Sequence, residues 1–372
     1  MNLEKGRITP FQYMLSVTCF LQSSALLSAF FAPITRQDSW MVVIFGTVAA
    51  LPVLAVFSAI MRSFPGKNLI EITQAALGRV AGTVVSLIFI WFFLTLTALN
   101  LRDFGQFVRQ IILVETPVVI VVSLCMALSV YAVLNGLKVV SRYSPVFVLM
   151  SLLLTILAIV LTLHLMDMKN FLPMLTLEPV KYVQGTNIVL SIPYGEIVIF
   201  LMVSPYVAKG KKSKSVYLFG GFLIGSATIL AVVARDTAVL GNAGSLFSLP
   251  SFETLRLIRI TDALNRMEIL FAIVLVVLLF FKVTILFYAS IMAMAQLFNL
   301  KTYHPLILIM AVLVVAYAYF VFPTAEIHSV YSRQTAPIAW LLFEFLLPLL
   351  VLIAGRARGL HKQLKPNTTT AQ

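Results

Sequence analysis

Runs of about twenty apolar residues, the length an α-helix needs to cross the hydrocarbon core of a bilayer, recur along the whole chain. Ten can be marked, near residues 9–33, 41–61, 80–101, 117–135, 143–165, 187–207, 216–234, 267–298, 305–322 and 337–354. The expected fold is therefore an all-α polytopic membrane protein, residues 1–372 forming a single integral membrane domain with ten transmembrane helices. A soluble globular fold is excluded, because only 11% of the residues are charged and 60% are hydrophobic, whereas soluble domains carry about 25% charged residues. The eighth run exceeds what a bilayer needs and is expected to tilt or to extend into water. The first is expected to be retained and not cleaved as a signal peptide, since Met1–Arg7 is short and charged and no small-residue cleavage site follows the run.

Lysine and arginine fix the expected orientation. With the N-terminus placed inside, the inner segments carry 16 basic residues, among them Arg62, Lys67, Lys138, Lys301 and the cluster from Lys209 to Lys214, against only Glu4 and Glu71. The opposite side carries 10 basic and 10 acidic residues. The net charge of +13 thus belongs to one face, which reads as topology and contact with anionic lipid headgroups, not as nucleic-acid binding. Both termini are predicted to be cytoplasmic.

Two connections are more than hairpins. Residues 63–82 read as an amphipathic helix on the inner membrane surface, with Leu69, Ile72, Ala76 and Val80 on one face. Residues 237–265 form a long outer segment with Gly241, Gly244 and Pro250, followed by a short helix; it reads either as a lid or as a packed cap. Cys19 and Cys125 lie inside apolar runs and read as packed thiols.

The sixth run contains Ser191-Ile-Pro-Tyr-Gly-Glu196 at its middle. Proline removes a backbone donor and glycine weakens the ladder, so the helix should break there. The first run is polar at Gln22, Ser23 and Ser24, about two-thirds of the way across. Interrupted helices at corresponding positions of two halves mark the site of an inverted-repeat transporter fold. Ten runs divide into 5+5, with discontinuous helices 1 and 6. Ligand-binding residues are therefore expected at Gln22, Ser23, Ser24, Ser191, Pro193, Tyr194, Gly195 and Glu196.

Glu196 lies roughly 15 Å into its run, near the midplane, where a carboxylate needs a cavity or a partner. It could bind a proton, pair with a ligand amine, or bond a neighbouring helix. Lys282 is the second deep charge; it could stand where a transporter of this kind holds a sodium ion, pair with Glu196, or snorkel to one surface. Glu196 and Lys282 are the candidates for ion or proton coupling. Glu344, near Pro348, is the third deep charge. Gly220, Gly221 and Gly225 suit close helix packing. Trp40 and Trp340 read as interfacial anchors and Trp91 as a packed residue. The histidines are scattered, and no phosphate loop, nucleophile elbow or metal-ligand pair is present, so neither an enzyme nor a cofactor is expected.

The chain resembles the B subunits of spore germinant receptors, membrane proteins related to amino-acid permeases. The resemblance is carried by Ile8-Thr-Pro-Phe-Gln12, Gln37-Asp-Ser-Trp40, Phe64-Pro-Gly-Lys-Asn-Leu-Ile-Glu71 with Gly78 and Gly82, Leu101-Arg-Asp-Phe104, Thr116-Pro117, Asn170-Phe-Leu-Pro173, Arg266-Met-Glu-Ile269 and Phe281-Lys-Val283, in that order. Where family members often carry glycines in the first span, this chain has Gln22-Ser-Ser-Ala25. The resemblance implies a LeuT-like fold and a subunit that senses a small-molecule nutrient, such as an amino acid, in the spore inner membrane. It also implies A and C subunit partners and triggering of germination. A proton-coupled amino-acid transporter is the alternative.

Overall fold

A computed structural model describes residues 4, 6–258 and 267–360, and every named element among them is helical. Arg266, the C-terminal part of the 237–265 segment, and the charges Lys5, Lys362 and Lys365 lie outside the described residues. In chain order the helices are α1 (Pro10–Gln22), α2 (Ser28–Thr35), α3 (Ser39–Ser63), α4 (Leu69–Leu77), α5 (Arg79–Ile111), α6 (Val118–Leu134), α7 (Leu137–Thr162) and α8 (Pro179–Val189). They continue as α9 (Phe200–Val203), α10 (Lys214–Leu240), α11 (Pro250–Arg256), α12 (Met267–Leu297), α13 (His304–Phe320), α14 (Ala325–Gln334), α15 (Ala336–Leu341) and α16 (Leu347–Ala357).

Seven stretches among the described residues are long and apolar enough to cross a membrane, or eight if α13 and α14, bent by 94°, form one broken span. The first two predicted runs merge into one helical stretch, Pro10–Ser63, and the fourth is α6, whose 17 residues leave it outside the seven. The third run was expected to end near residue 101, yet α5 continues to Ile111. Hydropathy stops at Arg102 and Asp103, but the helix does not, because Arg102 donates to carbonyls of α13 and Asp103 pairs with His328.

Local signals set the helix ends. At α1 the Thr9 hydroxyl accepts from the Gln12 amide while the Gln12 side chain accepts from the Thr9 N–H, with Pro10 in the first turn. Asn68 and Glu71 make the same reciprocal box at α4, which stops at Gly78, where φ is +84°. Leu69, Ile72 and Ala76 are buried, but Val80 lies beyond this stop and is 80% exposed, so it does not belong to the apolar face. That face packs on α5 and α16.

The glycines of α10 let it press against α1. A Cβ on Gly221 would meet the Met14 carbonyl and Val17, and one on Gly225 would meet Leu21. One tryptophan reading reverses: Trp340, expected as an interfacial anchor, is 5% exposed and packs edge-on to Phe92. Trp91 packs edge-on to Phe343 as expected, yet half of it, 52%, stays exposed. Hydropathy gives depth, but the helix's rotation decides whether a ring meets protein or lipid. The segment after α10 is a packed cap: α11 docks on α10 and α12, and its Ser251 hydroxyl donates to buried Asp236, which also pairs with Arg235 at 2.5 Å. Both cysteines are buried and unpaired.

Gly221→Val should lower thermal stability by about 1–3 kcal/mol through overpacking against α1 backbone. Gly220→Ala should be nearly neutral, because its Cβ meets only the flexible end of Met14. Thermal unfolding of the detergent-solubilised protein distinguishes the two.

Candidate functional site

The sixth run breaks at the predicted place, though not into an open loop. α8 ends at Val189, Leu190–Tyr194 widens to a π turn, Gly195–Ile199 tightens to a 3-10 turn, and α9 follows. Pro193 supplies no N–H to the ladder, and π turns inside helices concentrate at functional sites. The first run also breaks: Ser23–Leu27 is a 3-10 turn, and Ser24 leaves helical geometry at φ −87°, ψ 26°. A third irregularity, the π turn Leu342–Leu346 between α15 and α16, carries Glu344.

Lys282 on α12 joins the two broken helices. Its ammonium lies 2.6 Å from Glu196 Oε2 and donates to the Ser24 hydroxyl at 2.9 Å. It also sits 4.8 Å from the centre of the Phe20 ring on α1, within cation–π range. Lys282 and Glu196 are 2% and 1% exposed, so neither snorkels. The ammonium thus pairs with the sixth run and ties the first run to the eighth at the same time. A carboxylate and an ammonium removed from water need such mutual compensation.

The other predicted residues take up distinct posts. The Ser191 hydroxyl donates to the Pro337 carbonyl at 2.7 Å, fastening the break to α15. Tyr194 shares a hydrogen bond with Thr47 at 3.1 Å and meets Phe222 edge-on. Gly195 is where Glu344 approaches: a Cβ there would collide with the Glu344 carboxyl group. Glu344 is fully buried, and its two oxygens have no hydrogen-bond partner among the described residues. The Gln22 amide donates to the Thr228 hydroxyl at 3.2 Å, leaving its own oxygen without a hydrogen-bond partner, while the Ser23 hydroxyl donates to the Phe20 carbonyl.

Gln22 and Ser24 line a cavity of about 50 Å³ with Ser28, Thr155, Thr228 and Phe271; the Ser191–Glu196 stretch does not reach it. Ligand pockets run to about 300–1,000 Å³, so this one suits a few waters. The site is shut at both ends of the bundle. At the α14 end, Arg333 donates to the Ala29 carbonyl at 3.0 Å, Gln184 donates to the Arg333 carbonyl, and His328 Nδ1 lies 3.4 Å from Asp103. His328 is wedged between Phe30 and Phe322. At the opposite end Glu4 accepts from the Leu137 N–H and from the Tyr288 and Tyr303 hydroxyls. There Ile8 pairs with the chain after α9, donating to the Tyr206 carbonyl and accepting from Ala208. Sequence reading missed Asp103, His328 and Glu4, since each stood at a run's edge where a charge reads as solvated loop. Among the described residues no cluster of three His, Cys, Asp or Glu could hold a metal ion.

A family model described as spore germination protein matches residues 7–327. The chain is 28% identical to spore germination protein KB of Bacillus subtilis (strain 168) over 80% of its own length and 81% of that protein's. It is 22% identical to spore germination protein YndE of the same organism, over 86% and 88%. Among solved structures it is similar to Mhp1, a nucleobase-cation-symport-1 family transporter in a closed conformation with bromovinylhydantoin bound. That match has a TM-score of 0.63 and 13% identity, covering 98% of this chain and 95% of Mhp1. MhsT in complex with L-phenylalanine matches with a TM-score of 0.59 and 11% identity, over 91% and 97%. The fold is thus a transporter fold.

Removing one partner of the buried pair should be costly. Lys282→Met and Glu196→Gln are each expected to destabilise by about 3–5 kcal/mol, and the double substitution by less than the sum. Thermal unfolding of the three variants measures this coupling. Burial holds the His328 imidazole below its ordinary value of 6.5, with Asp103 opposing and Arg102 assisting. A lowered folded value means the exposed state binds more protons, so closure by α14 is fully present above about pH 6.5 and weakens as pH falls below it. Amide protection factors across 325–334, which correct for the intrinsic pH dependence of exchange, should fall between pH 7.5 and 5, and His328→Asn should flatten that fall.

Proposed function

The chain belongs to the spore germination protein family, and from that premise we propose that it is the nutrient-sensing membrane subunit of a spore germinant receptor. The reading is of one integral membrane domain with ten transmembrane helices in a 5+5 inverted repeat, helices 1 and 6 being the discontinuous pair around Ser24 and Ser191–Glu196. It lies in the spore inner membrane with both termini cytoplasmic, next to A and C subunits, and it responds to a small-molecule nutrient, an amino acid by preference.

The observation that carries this proposal is the bridge from Lys282 to Glu196 and Ser24 at the meeting point of both breaks. An amino acid is a zwitterion and brings a substitute for each partner. Its carboxylate can take the Lys282 ammonium, and its ammonium can take Glu196 or the Glu344 carboxyl group, which has no hydrogen-bond partner among the described residues. Exchange of partners would release the first helix from the sixth, and a ligand favouring the released form shifts the population towards it. The expected ligand residues remain Gln22, Ser23, Ser24, Ser191, Pro193, Tyr194, Gly195 and Glu196, with Lys282 added by its position. MhsT, of similar fold, is described with L-phenylalanine bound, which supports the choice of ligand class.

A proton-coupled transporter is the second reading, favoured by the transporter fold of the neighbours and by the deep carboxyl groups of Glu196 and Glu344. Spores carrying Glu196→Gln should need at least ten times more nutrient for half-maximal germination, followed as the fall in optical density of the suspension. An unchanged dose response would remove Glu196 from sensing. Uptake of labelled amino acids into proteoliposomes containing this chain alone should stay at background, and accumulation driven by a pH gradient would establish the transporter instead.

A further inference from the structure

Beside the seal made by α14 is a groove that the central site leaves unused. It has a volume of about 1070 Å³ and runs between the end of α5, the start of α6 and the end of α13. Arg102, Gln106, Arg109 and Gln110 recur at helical spacing along α5 and form its polar wall. Arg102 is only 8% exposed. One of its terminal nitrogens donates to the Ala318 and Tyr319 carbonyls at 3.0 and 3.4 Å, but its Nε has no hydrogen-bond partner among the described residues. Two arginines face a single acid in the lining, the exposed Glu115.

The opposite wall is apolar and continues beyond the groove. Val118, Val119, Val122, Tyr319 and Phe320 line it, Phe320 being 78% exposed. Exposed Val312, seven residues before Tyr319 and so on the same face of α13, carries that surface further along the helix. A small soluble anion would satisfy the arginines and leave this apolar strip bare. A molecule with an anionic head and hydrocarbon tails covers both.

We propose that this groove is a binding site for an anionic phospholipid, its phosphate taken by Arg102 Nε and Arg109 and its acyl chains laid along α6 and α13. Charge-assisted contacts from a planar guanidinium suit a phosphate oxygen, and Arg102 is already held in place by the carbonyls at the end of α13. The site has a route to the seal. The Arg102 guanidinium lies 5.9 Å from the Phe322 ring, which stacks on His328, and its chain neighbour Asp103 pairs with that histidine. Lipid occupancy would therefore bias how firmly α14 closes.

The test uses the full chain purified in detergent, with thermal unfolding and native mass spectrometry as readouts. Dioleoyl phosphatidylglycerol should bind saturably and raise the unfolding temperature; phosphatidylcholine with the same chains and inorganic phosphate should not. Arg109→Gln should weaken phosphatidylglycerol binding about tenfold, the loss of one charge-assisted contact, without lowering the lipid-free unfolding temperature. Arg102→Lys keeps the charge and a donor for the α13 carbonyls but lacks Nε, and it should weaken binding similarly. Equal stabilisation by phosphate alone would make this a soluble-anion site and overturn the proposal. Equal binding of both lipids, or phosphatidylglycerol binding unchanged by both substitutions, would overturn it as well.

Discussion

The arrangement depends on one buried ammonium. Lys282 is placed by α12 where the irregular turns of two other helical stretches converge, and it meets a carboxylate on one and a hydroxyl on the other. A charge so deep is tolerated only with full compensation, so the bridge holds the breaks in register with α12. Phe20 adds its ring face to the same ammonium, and the Ser191 hydroxyl anchors the sixth break to α15 from the far side. The backbone irregularity and the buried charge require each other: regular helices would not offer these groups together, and the irregular turns lose much of their fastening without the lysine.

Around that bridge the molecule is closed in both directions. The α14 end is held by an arginine, a glutamine and a histidine–aspartate contact, the opposite end by Glu4 and its two tyrosines. Both seals join pieces distant in the chain, α2 with α14 at one end and the segment before α1 with α7 and α12 at the other. Each combines polar contacts with apolar packing, His328 between Phe30 and Phe322 at one end and buried Ile8 at the other.

Much of this was legible in the chain. The apolar runs gave helices, Pro193 and Gly195 gave the break, and Gln22–Ser24 marked the second irregular stretch. Other readings failed for lack of rotation and distance. Val80 fell outside its helix because Gly78 ends it, and Trp340, read as an interfacial anchor, is buried against Phe92. Asp103 and His328, 225 positions apart, could not be paired by spacing, since nothing local records which helices will be neighbours.

What the amino-acid sequence determined by itself was the class and the weak points. Backbone groups cannot go unpaired in hydrocarbon, so apolar length dictates helix, and proline, glycine and clustered hydroxyls show where the ladder fails. Only the tertiary structure decided what the deep charges meet. For Lys282 helix packing excluded snorkelling and made the pair with Glu196, because burial on every side closed the route to either surface and left Glu196 and Ser24 within reach. For Glu344 the same packing aimed a carboxyl group at the bare Cα of Gly195 and supplied no hydrogen-bonding group among the described residues to meet it. Depth is a property of the run, but partnership depends on three-dimensional neighbours.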